Sequence, residues 1–209
     1  MLGSSALLLA SMAWLWDAAV HRGELASVRS PGPGGPENSQ AVFSVPAQGD
    51  LIFRTGRGFW TPFFSAANKT HGYSHVGVLV LEGQTFSVLH AEANDFTLEG
   101  GVIKTPLETF MAESVRYIIR RNEMPAEVKT SFVSALEDML RLKIGFDGQF
   151  ELDDQGQKVY CTEFIWLAAR RAGVMDLGQI DTVSHKAFVL VDSIYASPRL
   201  GESYKPGGV

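Results

Sequence analysis

The chain has 209 residues, of which 45% are apolar and 20% charged, with a formal net charge of -5 at pH 7. This composition is typical of one globular domain and excludes a disordered or fibrous chain. Because the balance is acidic and the basic residues are scattered, we do not expect nucleic acid as a partner. The single cysteine, Cys161, excludes an internal disulfide and a cysteine-ligated structural zinc site.

Residues 1–26 form an apolar N-terminal segment, in which Ala6 to Trp16 is almost unbroken apolar sequence. This run is short for a membrane span and resembles the apolar part of a signal peptide, although no Lys or Arg precedes it. We expect a signal or an anchor, and therefore an exported or membrane-anchored protein with membrane association through this segment. The alternative is an apolar helix packed on the domain, which leaves a cytoplasmic protein open.

Residues 27–48 are rich in Pro, Gly and Ser and read as a linker. A folded domain is predicted over residues 49–196. The Gly- and Pro-rich residues 197–209 are predicted to form a tail.

The domain begins with three predicted strands at residues 50–54, 74–81 and 85–91, which are rich in branched and aromatic residues. Glu82-Gly83 is a plausible two-residue hairpin loop, which would pair Leu81 with Gln84. Counting outward from this pair predicts that His75 lies directly opposite His90. Cross-strand partners on one face have Cβ atoms about 4.5–5.5 Å apart, so the two imidazoles would share one site.

The remaining pattern predicts helices and a further strand. A short helix is expected at residues 106–113, a strand at 116–120 and a long amphipathic helix at 125–142. The last helix begins at Cys161, carries an apolar stripe and ends at Gly173.

A thiol at a helix start is a candidate nucleophile. The free N–H groups and the positive end of the helix dipole favour a thiolate, which predicts a pKa for Cys161 below the free value of about 8.5. Together with two facing imidazoles, the thiol supplies the nucleophile, base and orienting group of an activated-nucleophile site. The alternative is a buried, inert cysteine that behaves as a small hydrophobe.

Several short stretches, in this order along the chain, resemble the permuted papain-like hydrolases of the YiiX/YebB type, within the NlpC-type superfamily. These are 49–53, 74–77, 88–91, 101–102 with 106–107, 146–147 and 160–164. The resemblance implies an α+β, circularly permuted papain-like fold, in which an antiparallel sheet carries the histidines and the nucleophile helix follows it.

The resemblance also implies site residues. Cys161 matches the nucleophile, His75 the base and His90 the polar third member, for which Glu92 on the same face is the alternative. The backbone N–H of Cys161 is the natural first donor to an oxyanion. Two residues are carried over as substrate-binding. Tyr160 matches an aromatic residue beside the nucleophile, and Asp147 a recurrent position with a structural or substrate-binding role.

The leading functional hypothesis is a cysteine hydrolase that cleaves an amide bond through a thioester, with no cofactor and no metal. Its partner would be an amide- or acyl-containing small molecule, a peptide or a peptidoglycan fragment. A second hypothesis is a lipid acyltransferase or ester hydrolase, because lecithin:retinol acyltransferase-like proteins also use two histidines and a cysteine. A third is a non-catalytic binding module on a hydrolase core.

Overall fold

A computed structural model describes residues 43–57, 70–152, 156–183 and 186–206. The predicted apolar segment and most of the predicted linker lie outside these residues. Among the helices that are described, none combines the length and the apolar character needed to cross a bilayer.

The described residues form a large, mostly antiparallel sheet with helices on both sides. The strands are β1 (Phe43–Ser44), β2 (Leu51–Thr55), β3 (His75–Glu82), β4 (Thr85–Ala93), β5 (Gly100–Pro106), β6 (Arg116–Asn122), β7 (Gly145–Phe146), β8 (Lys158–Val159), β9 (Ile180–Val183), β10 (Lys186–Val189) and β11 (Leu200–Pro206). The helices are α1 (Leu107–Ala112), α2 (Ala126–Arg141), α3 (Cys161–Arg171) and α4 (Val191–Tyr195).

The main sheet has the strand order β1-β11-β6-β2-β3-β4-β5-β7-β8, and β9 and β10 form a separate hairpin. Neighbouring strands are antiparallel except at β1–β11 and β7–β8, which are parallel. The predicted α+β class is confirmed, as is the order in which the histidine-bearing strands precede the helix of Cys161.

The sheet has two apolar faces because side chains alternate along each strand. On β3, Val76 and Val78 belong to the larger core, which includes Phe132 of α2 and Phe164 of α3. Leu79 belongs to a smaller core on the other face, together with Phe110 of α1. His75 shares the alternation of Leu79 and therefore lies on the smaller core's face.

The two long helices follow from their apolar spacing. In α2 the buried residues recur at three- and four-residue intervals, and α3 repeats this pattern. The buried positions are Phe132, Val133, Ala135, Leu136 and Met139 in α2, and Phe164, Ile165, Ala168 and Ala169 in α3. Helix α3 ends where Gly173 adopts a positive φ of 78° and the N–H of Val174 donates to the carbonyl of Ala169 at 2.8 Å.

The register of the β3–β4 hairpin differs from the prediction. Glu82 pairs with Thr85, so the turn is Gly83-Gln84 and Leu81 pairs with Phe86 rather than with Gln84. The reason is local, because Gly83 adopts φ 63° and takes the first central position of the turn. His75 and His90 are therefore not direct cross-strand partners. They still share a face, because a shift of two residues preserves the alternation of side chains.

The predicted tail from residue 197 is also wrong over most of its length. Residues 200–206 form β11, which lies between β1 and β6 in the main sheet. Tyr204 is 1% exposed and donates its hydroxyl proton to the carboxylate of Asp50. A Gly- and Pro-rich composition did not prevent pairing, because the strand buries a tyrosine against an existing sheet. The predicted linker likewise contains a short strand near its end, at Phe43–Ser44, where Phe43 pairs with Lys205.

Asp50 joins the beginning and the end of the domain. Its fully buried carboxylate accepts hydrogen bonds from the Arg121 guanidinium at 2.7 Å, the Asn122 N–H at 3.0 Å and the Tyr204 hydroxyl. It also accepts the Ala47 N–H at 3.1 Å. These contacts hold β11 and β6 to the chain that leads into β2.

Replacing Asp50 by Ala should lower the free energy of unfolding by about 3 kcal/mol, because it leaves Arg121 without its buried partner. Urea unfolding of the purified protein measures this loss. Asp138→Ala is the matched control, since Asp138 pairs with Arg141 on the surface at 2.8 Å, and its loss should stay below about 1 kcal/mol. Equal effects in the two variants would contradict the role of Asp50.

Candidate active site

Strands β3 and β4 separate at the end that carries the histidines. Their paired residues run from Glu82 and Thr85 only as far as Val78 and Leu89. Beyond this point β3 stays paired with β2, through His75 and Arg54, and β4 stays paired with β5. The β3–β4 pairing therefore ends before it reaches His75 and His90.

The thiol of Cys161 reaches this part of the sheet from the start of α3. The backbone N–H groups of Val76, Thr162 and Cys161 itself lie close enough to its sulfur to lower the pKa of the thiol. Val76 directly follows His75 and lies on the part of β3 that is no longer paired with β4. Cys161, whose helix packs on the larger core, therefore lies near the backbone of the residue that follows His75.

The helix start is fixed by polar contacts on both sides. The hydroxyl of Thr162 donates to the carbonyl of Val189 on β10 at 2.5 Å. The buried carboxylate of Glu163 accepts the N–H of Tyr160 at 3.4 Å, which caps the first turn. These contacts fix the start of α3 relative to the β9–β10 hairpin.

The two histidines are in direct contact. His75 Nε2 lies 2.9 Å from His90 Nδ1, and the rings meet edge to face at 84°. His90 is fully buried and His75 is partly exposed. Phe110 of α1 packs against both rings, with centroid distances of 5.8 Å to His75 and 5.1 Å to His90. Among the described residues, the ring of His75 hydrogen-bonds His90 and makes no hydrogen bond to Cys161.

Burial sets the ionisation of the thiol. It raises the pKa of Cys161 to about 11, and the three backbone N–H groups lower this pKa by a smaller amount. The sequence predicted a lowered pKa from the helix start alone. That prediction is wrong in sign for the resting site, because the cost of desolvating a thiolate exceeds the stabilisation from the backbone donors.

Burial also holds both imidazoles neutral. It lowers the pKa of His75 well below its ordinary value and that of His90 to about 3. The positive charge of Arg54 acts in the same direction on both rings. The resting site therefore combines a neutral thiol with two neutral histidines.

Arg54 is the charged group at the centre of the site. It is 4% exposed and donates to the carboxylate of Glu92 and to Glu113 at 3.3 Å. Its guanidinium also lies 4.1 Å from the ring centroid of Phe110. This buried cation faces the same side of the sheet as His75, its direct partner across the β2–β3 ladder.

The two candidates for the third member have different partners in the structure. His90 hydrogen-bonds His75, whereas Glu92 binds Arg54 and has one oxygen 3.6 Å from His90 Nδ1. Burial raises the pKa of Glu92 above its ordinary value. His90 is therefore the group in contact with the candidate base, and Glu92 balances the charge of Arg54.

Tyr160 and Asp147 support the polypeptide around the nucleophile. Tyr160 is 4% exposed, accepts the Val189 N–H at 3.0 Å through its hydroxyl and packs on Phe150. Asp147 is 5% exposed and accepts the N–H groups of Gln149 and Glu151 at 2.8 and 2.5 Å. A part in substrate binding stays a prediction for both residues.

Three residues that contact the histidine pair were not found from the sequence. Arg54 gave one signal, a charge inside an apolar strand. Thr105, whose hydroxyl lies 2.9 Å from His90 Nε2, and Phe110 gave none. Their contacts depend on strand register and on the placement of α1, which a single sequence does not encode locally.

His75, His90 and Glu92 also form a group with metal-ligand chemistry. Their ligand atoms lie within 4.8 Å of one another. Two imidazoles and a carboxylate are the donors of several divalent transition-metal sites. The sequence predicted no metal. Metal binding would use the same ring nitrogens and carboxylate oxygens as the predicted thiol mechanism.

The order of these parts, with the histidine-bearing sheet before the helix that begins at the thiol, defines a circularly permuted papain-like hydrolase. The chain belongs to the peptidase family C92, described as permuted papain-like amidase enzymes of the YaeF/YiiX type, which matches residues 45–200. The resemblance inferred from the motifs is thereby confirmed, and the protein is a papain-like cysteine amidase or peptidase.

A solved structure supports the fold. The chain is similar to a structure described as the metalloprotein yiiX from Escherichia coli O157:H7, DUF1105, with a TM-score of 0.65 and 20% sequence identity. The similarity covers 78% of this chain and 99% of that one. A search of curated proteins found no match. The permuted papain-like fold predicted from the sequence is confirmed.

Alkylation of Cys161 by iodoacetamide should follow a thiol with a pKa of about 11. Only the thiolate reacts, so the rate of the native protein should rise about tenfold per pH unit up to that value. Mass spectrometry across a pH series measures this rate. Reactivity that persists well below pH 8, and is lost in His75→Ala, would instead establish a resting thiolate–imidazolium pair.

Proposed function

We propose that this amidase cleaves its substrate through a thioester on Cys161, with His75 as the base and His90 as the residue that orients it. The observation that carries the proposal is the 2.9 Å hydrogen bond between His75 Nε2 and His90 Nδ1. The N–H of Val76, the residue next to His75, supports it because this group lies close enough to the thiol to lower its pKa.

In this proposal the two ring nitrogens of His75 have different roles, because one of them is hydrogen-bonded to His90. Because Nε2 is engaged with His90, Nδ1 is the atom that takes the thiol proton. The pKa of the thiol is raised and that of the imidazole lowered, so the proton moves as the sulfur attacks the carbonyl carbon. This differs from a site that stores the thiolate at rest.

Attack converts the amide carbonyl into a tetrahedral oxyanion. The backbone N–H of Cys161, at the positive end of α3, is the first donor to this charge. His75 then gives its proton to the amide nitrogen, the C–N bond breaks and a thioester remains on Cys161. Water, deprotonated by His75, hydrolyses the thioester and regenerates the thiol.

We propose a peptide or a peptidoglycan fragment as the substrate class. The support is the family description, which names amidases, together with the apolar residues 6–16, which would direct the protein to the cell envelope. A neutral thiol and neutral histidines are compatible with attack of the sulfur on an amide carbonyl without a charged cofactor.

The assignment predicts that Cys161→Ala and His75→Ala each reduce kcat on a cleavable peptide by about 10³-fold or more, since the three groups act as a unit. Acid quenching during turnover, followed by intact mass measurement, should show an acyl group on wild-type Cys161. His71→Ala is the matched histidine control, because His71 stacks on Tyr195 at 4.0 Å outside this group. Full activity of Cys161→Ala would overturn the proposal.

An acyltransferase or lipid-ester hydrolase is the second candidate, favoured by the contact between two histidines beside a thiol. Both reactions leave an acyl group on Cys161. The mass of the trapped group separates them, since a fatty acyl thioester supports lipid chemistry and a peptidyl thioester supports the amidase.

A metal-dependent reaction would use His75, His90 and Glu92 as ligands, and the yiiX relative is described as a metalloprotein. The charge of Arg54 weighs against this use. Its buried guanidinium binds Glu92 and disfavours positive charge on both histidines, and a divalent cation would meet the same field.

Dialysis against EDTA and 1,10-phenanthroline should therefore leave kcat and KM unchanged within about twofold. The thiol mechanism needs no metal, and removal of a catalytic metal would abolish turnover. Activity lost to the chelator and restored by Zn²⁺ would assign the reaction to a metal, and metal analysis of His90→Ala would then identify its ligands.

A further inference from the structure

We propose that Thr105 is a positioning residue that sets the tautomers of both histidines by accepting the Nε2 proton of His90. This inference rests on the proposed function, in which Cys161 is the nucleophile and His75 the base. The juxtaposition that carries it is a line of three groups, Thr105 Oγ1, His90 and His75, joined by two contacts of 2.9 Å.

Strand register brings Thr105 to this position. Thr105 of β5 is the cross-strand partner of Val88, two residues before His90 on β4. Because residues two apart on a strand share a face, the Thr105 hydroxyl lies diagonally beside the imidazole of His90. His90 is fully buried, so both of its ring nitrogens are satisfied within the protein, by His75 and by Thr105.

Two proton arrangements fit these contacts, and only one is active. A neutral imidazole carries a single N–H. If Thr105 accepts from His90 Nε2, then His90 Nδ1 accepts from His75 Nε2, and His75 Nδ1 has a free lone pair for the thiol proton. If Thr105 donates instead, His90 Nδ1 carries the proton, His75 Nε2 must accept it, and His75 Nδ1 is already protonated.

The carboxylate of Glu92 favours the inactive proton arrangement. One oxygen of Glu92 lies 3.6 Å from His90 Nδ1 and favours a proton on that nitrogen. Among the described contacts of the His90 ring, the Thr105 hydroxyl is the acceptor placed to hold the proton on Nε2. Thr105 thus opposes Glu92 and keeps His75 able to act as a base.

Thr105→Val and Thr105→Ser form the test pair, since Val keeps the branched shape without the hydroxyl and Ser keeps the hydroxyl. In Thr105→Val we expect kcat to fall with KM nearly unchanged. The fall should lie between about tenfold, the net value of one hydrogen bond, and about 10⁴-fold, the cost of a wrong tautomer in the serine triad. Ser should restore most of kcat.

The tautomers are measured directly by ¹⁵N NMR of histidine-labelled protein without substrate, with resonances assigned from single His→Gln variants. The wild type should show His75 and His90 both protonated at Nε2, and Thr105→Val should move the His90 proton to Nδ1. Thr130→Val removes a hydroxyl from the exposed surface of α2 and should change neither spectrum nor kcat.

A wild-type His90 protonated at Nδ1 overturns the proposal even if Thr105→Val does not fold. So does a Thr105→Val variant with wild-type tautomers and kcat. Failure of the proposed function is recognised separately, because Cys161→Ala and His75→Ala would then keep their activity whatever the tautomers show.

Discussion

The organisation of the site depends on the early end of the β3–β4 ladder. Pairing stops at Val78 and Leu89, and the N–H of Val76 lies close enough to the thiol of Cys161 to lower its pKa. Gly77 lies just beyond the last pair, where a Cβ would lie 2.4 Å from Val88. The two strands can therefore approach closely there before they separate.

Burial rather than charge then decides the chemistry of the site. A helix start stabilises a thiolate in principle, and the backbone donors around Cys161 act in that direction. The desolvation of a buried sulfur is larger, and Arg54 adds a positive charge that keeps the histidines neutral. A site of this kind stores no ion pair at rest. In the proposed mechanism, proton transfer depends on which nitrogen of each imidazole carries the hydrogen, and this is the basis of the role proposed for Thr105.

An imidazole in the third position of such a site has a requirement that a carboxylate does not have. A carboxylate accepts from the base without a choice of tautomer, whereas an imidazole must itself be oriented by a further group. Here Thr105 lies at one nitrogen of His90 and His75 at the other. Glu92, which the sequence offered as the alternative, is bound to Arg54.

Much of the outline was determined by the sequence itself, because it depends on local patterns. Apolar spacing predicted the positions of α2 and α3, and two-residue alternation placed His75 and His90 on one face even though the predicted hairpin register was wrong by two residues. The tertiary structure decided what depends on distant parts of the chain. The tail became β11 because Tyr204 buries against Asp50, and the pKa of the Cys161 thiol is raised because folding buries its sulfur. Arg54, Phe110 and Thr105 meet the histidines only through strand register and helix placement, and no short stretch of sequence specifies either.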